Sequence, residues 1–119
     1  MSSVADLADV EFCYLTTTGR SSGDLHRIEI WFVAHADGAY LLSNNADADW
    51  YRNLVAEPRV VLEIAGERRD TTARPVDATD PANPTVRPAI VAKYQAGYAQ
   101  EDLREWSDTA SLVRVDWPG

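Results

Sequence analysis

The sequence predicts a mainly β (α+β) fold, a six-stranded β-barrel with two helices. Short segments with strand periodicity recur along the chain, and turn signals such as Asp37-Gly38 separate several of them. Two segments have helical spacing, one after the third strand and one before the last. Strands that follow one another in hairpin order favour an antiparallel barrel over a parallel sheet. The 119 residues suit one domain, residues 1–119.

The first half of the chain supplies three of the strands. Residues 11–17 are rich in aromatic and β-branched side chains, and residues 18–25 form a turn with two glycines. Residues 26–35 alternate with a period of two, which predicts the second strand. Residues 40–43 return from the Asp37-Gly38 turn as the third.

A short helix is expected next. Asp47 or Asp49 is a suitable N-cap, and Trp50 and Leu54 lie four residues apart on one helical face. Pro58 limits the extension of this helix. Trp50 and Leu54 are expected to pack on the barrel, and Asn53 beside them is expected to bind the backbone of a strand or loop.

The second half predicts the remaining elements. Residues 59–65 and 68–76 are two strands joined by a turn at Gly66. Residues 86–106 are expected to form one helix with a weak point at Gly97. Residues 112–117 close the barrel as the sixth strand.

Composition limits the partners and the compartment. The net charge is −8, from 19 acidic and 11 basic residues, which argues against a nucleic acid or an anionic membrane as partner. Cys13 is the single cysteine, so no intrachain disulfide exists. Residues 1–10 lack the features of a signal peptide, and no apolar run is long enough to span a bilayer. These observations predict a cytoplasmic protein.

The most informative segment is the turn Leu-Thr-Thr-Thr-Gly-Arg-Ser-Ser-Gly at residues 15–23, followed by Arg27. Hydroxyls, free backbone N–H groups and guanidinium groups are the partners that a phosphate needs. A polar loop at residues 44–47 leads into the first helix. Together these segments predict an anionic cofactor laid across the barrel, with Arg20 and Arg27 directed at one pocket. A plain β-turn is the alternative.

Other chemistries have no support in the sequence. The sequence contains no Gly-x-Ser-x-Gly elbow, so it gives no indication of a hydrolase. It also contains no glycine-rich dinucleotide or nucleoside-triphosphate motif. His26 and His35 form no cluster with cysteine, so no metal site is predicted.

Two motifs in order resemble a known family. They are Thr-Thr-Gly-Arg-Ser-Ser-Gly at residues 17–23 with Arg27 after it, and Asp-Trp-Tyr-Arg-Asn-Leu-Val-Ala-Glu-Pro-Arg-Val at residues 49–60. They are similar to the T-G-R-K-S-G and W-x-x-N-L-x-A-x-P-x-V patterns of the deazaflavin-dependent nitroreductase family. That family is a branch of the split β-barrel flavin and deazaflavin oxidoreductases. Ser21 stands where the family usually has lysine.

The resemblance implies an FMN-binding-like split β-barrel that binds coenzyme F420, a deazaflavin with a phosphate and an oligoglutamate tail. It implies hydride transfer between the deazaflavin and a small conjugated acceptor, such as a quinone, an enone or a nitro compound. The implied cofactor-binding residues are Thr18, Gly19, Arg20, Ser21, Ser22, Gly23, Arg27, Ser43, Asn44, Asn45 and Ala46. Tyr94 and Tyr98 are the implied catalytic residues, on the acceptor side, where a phenol would orient or protonate the acceptor.

Several alternatives stay open at this point. FMN is the alternative cofactor, because its shorter phosphate tail suits a site without the lysine. A non-catalytic ligand-binding barrel is another possibility. Tyr94 and Tyr98 lie four residues apart, so packing of their shared helical face is as reasonable as a role at the site. Trp31, Trp106 and Trp117 are expected at exposed barrel positions, which favours a homodimer.

Overall fold

The computed structural model describes residues 2–44, 47–98 and 102–118. Within these residues, seven antiparallel strands form one sheet in the order β2-β1-β5-β6-β7-β4-β3, which curls into a half-barrel. The strands are β1 (Phe12–Thr18), β2 (Leu25–Trp31), β3 (Val33–His35), β4 (Gly38–Ser43), β5 (Arg59–Ile64), β6 (Glu67–Val76) and β7 (Ser111–Asp116). The helices are α1 (Asp49–Ala56), α2 (Asn83–Tyr94) and α3 (Leu103–Thr109), with 3-10 turns at Ala5–Leu7 and Gln95–Tyr98.

The barrel-like α+β fold is confirmed, but the strand count of six is wrong. The segment predicted as one strand, residues 26–35, is divided into β2 and β3 at Phe32. The Phe32 side chain is fully buried, and its backbone N–H donates to the Tyr94 hydroxyl at 3.1 Å. That N–H group is thereby committed to a side chain, and the strand is interrupted there.

The single helix predicted at residues 86–106 is also wrong. The chain forms α2, then the 3-10 turn at Gln95–Tyr98, and then α3, so the described residues contain three α-helices instead of two. Gly97, the expected weak point, lies inside the 3-10 turn. Asp102 begins a new helix because its carboxylate accepts the N–H of Arg104 at 3.0 Å. None of the helices in the described ranges is long and apolar enough to cross a membrane.

The start of α1 differs from the expected cap. The residue at the N-cap position is Ala48, which has no capping side chain, and Asp49 is the first helical residue. The Asp49 carboxylate lies 3.3 Å from the guanidinium of Arg20. Asp49 is therefore not the N-cap, and its carboxylate instead pairs with the neighbouring turn.

The core lies inside the curled sheet, and α1 packs against it. Its fully buried large side chains include Leu15, Phe32, Leu41, Leu54, Leu62 and Ile64. A second apolar cluster lies between α2, α3 and the strands β4 and β7, and includes Leu42, Val86, Ile90 and Leu112. The expected packing of Trp50 and Leu54 on the barrel is confirmed.

Of the three tryptophans expected on the surface, Trp117 is buried, whereas Trp31 and Trp106 are half-buried. Trp117 is 4% exposed, its indole N–H donates to the carbonyl of Ser2 at 3.0 Å, and Arg69 lies over its ring. Trp31 and Trp106 pack against the second apolar cluster. Trp117 therefore gives no support to the expected homodimer, which stays a prediction.

Cys13 provides a test of the packed interior. Its side chain is fully buried, and burial raises the pKa of the thiol to about 12. We expect no reaction of the native protein with a thiol reagent such as DTNB at pH 8, and one thiol per chain after unfolding in guanidinium, because only the thiolate reacts. Rapid labelling of one thiol without denaturant would contradict this packing.

Candidate functional site

A groove runs along the edge of the sheet where the barrel does not close. β2 is the terminal strand at this edge. The groove consists of two adjoining hollows, and Trp50 lines both of them. Ile28 of β2 lines the hollow beside the Gly19–Ser22 turn, and Ile30 lines the hollow beside Trp31. The hollow beside the Gly19–Ser22 turn has a volume of about 350 Å³ and is called the polar end. The hollow beside Trp31 and Trp106 has a volume of about 520 Å³ and is called the aromatic end.

The turn at the polar end is closed by its own backbone. The Gly19 N–H donates to the Asp24 carbonyl at 2.7 Å, and the Gly23 N–H donates to the Gly19 carbonyl at 2.9 Å. Gly23 has a φ of +76°, which glycine adopts readily. Ser21 and Ser22 are thereby presented at the groove, where both line the polar end.

Asn53 of α1 fixes the position of Arg20. Its side-chain oxygen accepts the Arg20 backbone N–H at 3.2 Å and the Arg20 Nη1 at 2.8 Å. Its amide nitrogen lies 3.5 Å from the Thr17 hydroxyl, and the residue is 4% exposed. The expected bond from Asn53 to a loop backbone is confirmed, and it preorganises the one arginine that lines the polar end of the described groove.

The side chains of Ser22 and His26 lie close to Gly19. A Cβ atom at this position would lie 2.8 Å from the Ser22 hydroxyl and 2.9 Å from Nε2 of His26. A larger residue here would displace those two side chains, because their polar atoms occupy the space above Gly19. A hydroxyl, an imidazole and the Arg20 guanidinium line one small hollow, and this donor set fits an anion such as a phosphate.

Arg27 is not part of this group. His26 lines the polar end, whereas Arg27, the next residue of β2, does not. The Arg27 guanidinium donates to Glu63 at 3.0 Å and lies 4.0 Å from the centre of the Tyr14 ring, on the outer face of the sheet. The expected convergence of Arg20 and Arg27 on one pocket does not match this geometry.

The other predicted residues near the turn and the loop are distributed as follows. Thr18 faces a different hollow, on the outer side of the sheet, with Leu25 and Arg59. Ser43 is buried at the end of β4, and Asn44 lines the aromatic end. The predicted residues Asn45 and Ala46 lie outside the described residues.

Aromatic rings build the other end of the groove. The Trp31 ring stacks on Tyr94 with 4.3 Å between centroids and 3° between planes. Trp106 meets Trp31 edge-on at 5.7 Å, and its indole N–H donates to the Asn44 side-chain oxygen at 2.8 Å. Phe12 also lines this hollow. A flat conjugated ring is the ligand that such a surface accommodates best.

Tyr94 lies behind this surface. Its hydroxyl donates to the Glu11 carbonyl at 2.6 Å and accepts the Phe32 N–H at 3.1 Å. Burial raises the pKa of this phenol to about 12. The hydroxyl is thus occupied by the backbone, while the ring supports Trp31. Tyr98 is the last residue of the 3-10 turn, and its side chain lies outside the described part of the structure.

The fold and the groove together define a split-barrel protein with a turn of polar groups at one end of a groove and an aromatic surface at the other. The model of the F420H(2)-dependent quinone reductase family matches residues 2–118. The chain belongs to this family. It is an oxidoreductase whose cofactor is coenzyme F420.

Solved structures support the fold. An F420-H2 dependent reductase (FDR-A) matches with a TM-score of 0.67 and 22% identity over 88% of this chain and 92% of that one. A conserved hypothetical protein of Mycobacterium tuberculosis matches at 0.70 and 20%, over 96% and 79% of the two chains. HutZ, described as a heme storage protein of Vibrio cholerae, matches at 0.72 and 17%, over 98% and 88%. These identities are low, so the likenesses concern the fold alone.

Proposed function

We propose that the protein reduces a small, flat, conjugated acceptor, most suitably a quinone, with reduced F420. The observation that carries the proposal is the composite groove, with Arg20 and the serine turn at one end and the Trp31 surface at the other. The description of the family as quinone reductases supports this acceptor class. Enones and nitro compounds have the same flat conjugated shape and are the other candidates.

The polar end is proposed to bind the phosphate and tail. Arg20, Ser21 and Ser22 supply a guanidinium and two hydroxyls, and Asn53 keeps the guanidinium in place. Bound reduced F420 supplies the hydride for the reaction. The protein then contributes position and charge, and no nucleophilic side chain is required.

The aromatic end is proposed to hold the ring system and the acceptor. Trp31 supplies a rigid surface because Tyr94 supports it from behind. The loop at residues 43–46 is proposed to bind the ring edge through backbone N–H groups. Tyr98 is proposed to orient the acceptor. Tyr94 is proposed to position the Trp31 ring, on which it stacks.

Two carboxylates at the aromatic end bear on the charge of the acceptor. Glu29 and Asp102 both line this hollow. Glu29 accepts a hydrogen bond from the Tyr14 hydroxyl at 2.8 Å, and Asp102 is paired with Arg104. Arg104 offsets the charge of Asp102, whereas the Tyr14 hydroxyl is neutral and leaves the charge of Glu29 in place. The Glu29 charge disfavours an anionic acceptor, so neutral quinones are favoured over carboxylated ones.

Fluorescence titration with F420 tests the proposal first, and titration with FMN under the same conditions tests the alternative cofactor. Oxidation of reduced F420 is then followed by absorbance with menadione, 2-cyclohexenone and a nitroimidazole. We expect binding of F420, weaker binding of FMN, and fastest turnover with menadione. Tight FMN binding with a yellow flavin spectrum would contradict the cofactor assignment, and F420 binding without turnover of any acceptor would indicate a binding protein.

Asp49 is expected to compete with the tail for Arg20. Its carboxylate is 3.3 Å from the guanidinium and its side chain is largely exposed. Exposed pairs of this kind are worth about 0.2–1 kcal/mol, so Asp49→Asn should tighten F420 binding by about 1.4- to fivefold at low salt. Asp37→Asn, in the β3–β4 hairpin away from the groove, removes the same charge and serves as the control. Equal affinities for both variants would argue against this competition.

A further inference from the structure

We propose that His26 is the second cationic anchor of the polar end, and that protonation of its imidazole strengthens binding of the anionic tail. The proposal rests on the proposed function for the identity of the anion. The family motif implies Arg27 as the second cation, and His26 is not among the residues that it implies.

The geometry places the imidazole inside the anion site. His26 lines the polar end together with Arg20, Ser21 and Ser22. Its Nε2 is 2.9 Å from the position that a Cβ of Gly19 would occupy, and the Ser22 hydroxyl is 2.8 Å from the same point. An anion held by the turn would therefore lie within reach of the imidazole.

The local charges make the protonation state decisive. The charged and titratable side chains that line the polar end are Arg20 from the turn, Asp49 from α1 and His26 from β2. Thr17, the β1 partner of His26, carries no charge, and Asp24 does not line this hollow. Arg20 and Asp49 offset each other, so the polar end has no net charge when the imidazole is neutral and one positive charge when it is protonated.

The chemistry of histidine then gives the direction of the effect. Histidine is the side chain that ordinarily changes its charge between pH 5 and 8. A bound anion favours the protonated form, so binding takes up protons, and by linkage the affinity falls as the pH rises. Ser21 supplies no positive charge at the position where the family usually has lysine. Among the described residues that line the polar end, His26 is the side chain that can add a positive charge to that of Arg20.

The test uses the whole protein and its two histidines. F420 affinity is measured by fluorescence titration at constant ionic strength from pH 5.5 to 8.5 for the parent, His26→Gln, His26→Arg and the control His35→Gln. We expect the parent and the control to lose about tenfold in affinity across this range. His26→Gln should bind weakly at every pH, and His26→Arg should bind tightly at every pH. A deazaflavin without the phosphate and tail should show the same pH dependence with the parent as with His26→Gln.

A second readout separates this proposal from the proposed function. The imidazole resonances of the two histidines are followed by NMR against pH, with sodium chloride or with inorganic phosphate at matched ionic strength. Phosphate should perturb the imidazole resonances of His26 more strongly at pH 6 than at pH 8, and leave those of His35 unchanged, even if the protein fails to bind F420. The proposal is overturned if phosphate has no effect on His26, or if His26→Gln retains the pH dependence of the parent. Failure to bind F420 with an intact phosphate response would overturn the proposed function alone.

Discussion

Replacement of Arg20 by alanine is expected to weaken F420 binding by about 1.5–3 kcal/mol, the range for hydrogen bonds to charged groups. The side chain is 28% exposed and is held by Asn53 at 2.8 Å, so the guanidinium is presented to a ligand with little loss of side-chain entropy. Fluorescence titration of Arg20→Ala against the parent protein measures the difference. Circular dichroism shows whether both proteins are equally folded.

The matched control for Arg20→Ala is Arg27→Ala. Arg27 follows the same turn but lies on the outer face of β2, where it binds Glu63. Its removal should change the affinity for F420 by no more than about 0.5 kcal/mol, the usual range for surface substitutions. Equal losses for the two variants would mean that the tail reaches the outer face of the sheet, and the groove described above would then be the wrong site.

Replacement of Tyr94 by phenylalanine is expected to lower the free energy of unfolding by about 1–3 kcal/mol. The variant keeps the ring that supports Trp31, but it leaves the Glu11 carbonyl and the Phe32 N–H without their partner. Urea denaturation measures the loss. At a temperature where the variant is fully folded, kcat with menadione should stay within about threefold of the parent, because the hydroxyl does not face the groove.

Tyr14→Phe is the control for this variant. The Tyr14 hydroxyl donates to Glu29 on the exposed face of the sheet, so its loss should have little effect on stability. A fall in kcat of a hundredfold or more for Tyr94→Phe, without a fall in stability, would show that the phenol takes part in the reaction. In that case a shift of the pH profile of kcat would accompany it.

The barrel could be predicted from the sequence because its signals are local. Alternation in residues 26–35 and the turn at Asp37-Gly38 depend only on neighbouring side chains, and both match the structure in outline. The break at Phe32 could not be predicted, since it depends on a hydroxyl 62 residues away. The last predicted helix is divided in the structure near Gly97, which the sequence does indicate as a weak point. The new start at Asp102 could not be predicted, because the helical spacing continues across it.

The site was predicted in part. The family motif implies Arg20, Ser21 and Ser22, and all three line the groove. The motif also implies Arg27, which lies on the outer face of β2 instead. The alternation that predicts β2 puts His26 on the same face as Ile28 and Ile30, so this residue could have been found from the sequence. The predicted shared face of Tyr94 and Tyr98 required a continuous helix, whereas α2 ends at Tyr94.

A crystal structure of the complex with F420 tests the central claim most directly. The account predicts the phosphate within hydrogen-bond distance of Arg20 and the Ser21–Ser22 turn, and the deazaflavin ring in the hollow beside Trp50 and Trp31. A phosphate bound by Arg27 on the outer face of β2, or a ring placed outside the groove, would contradict it.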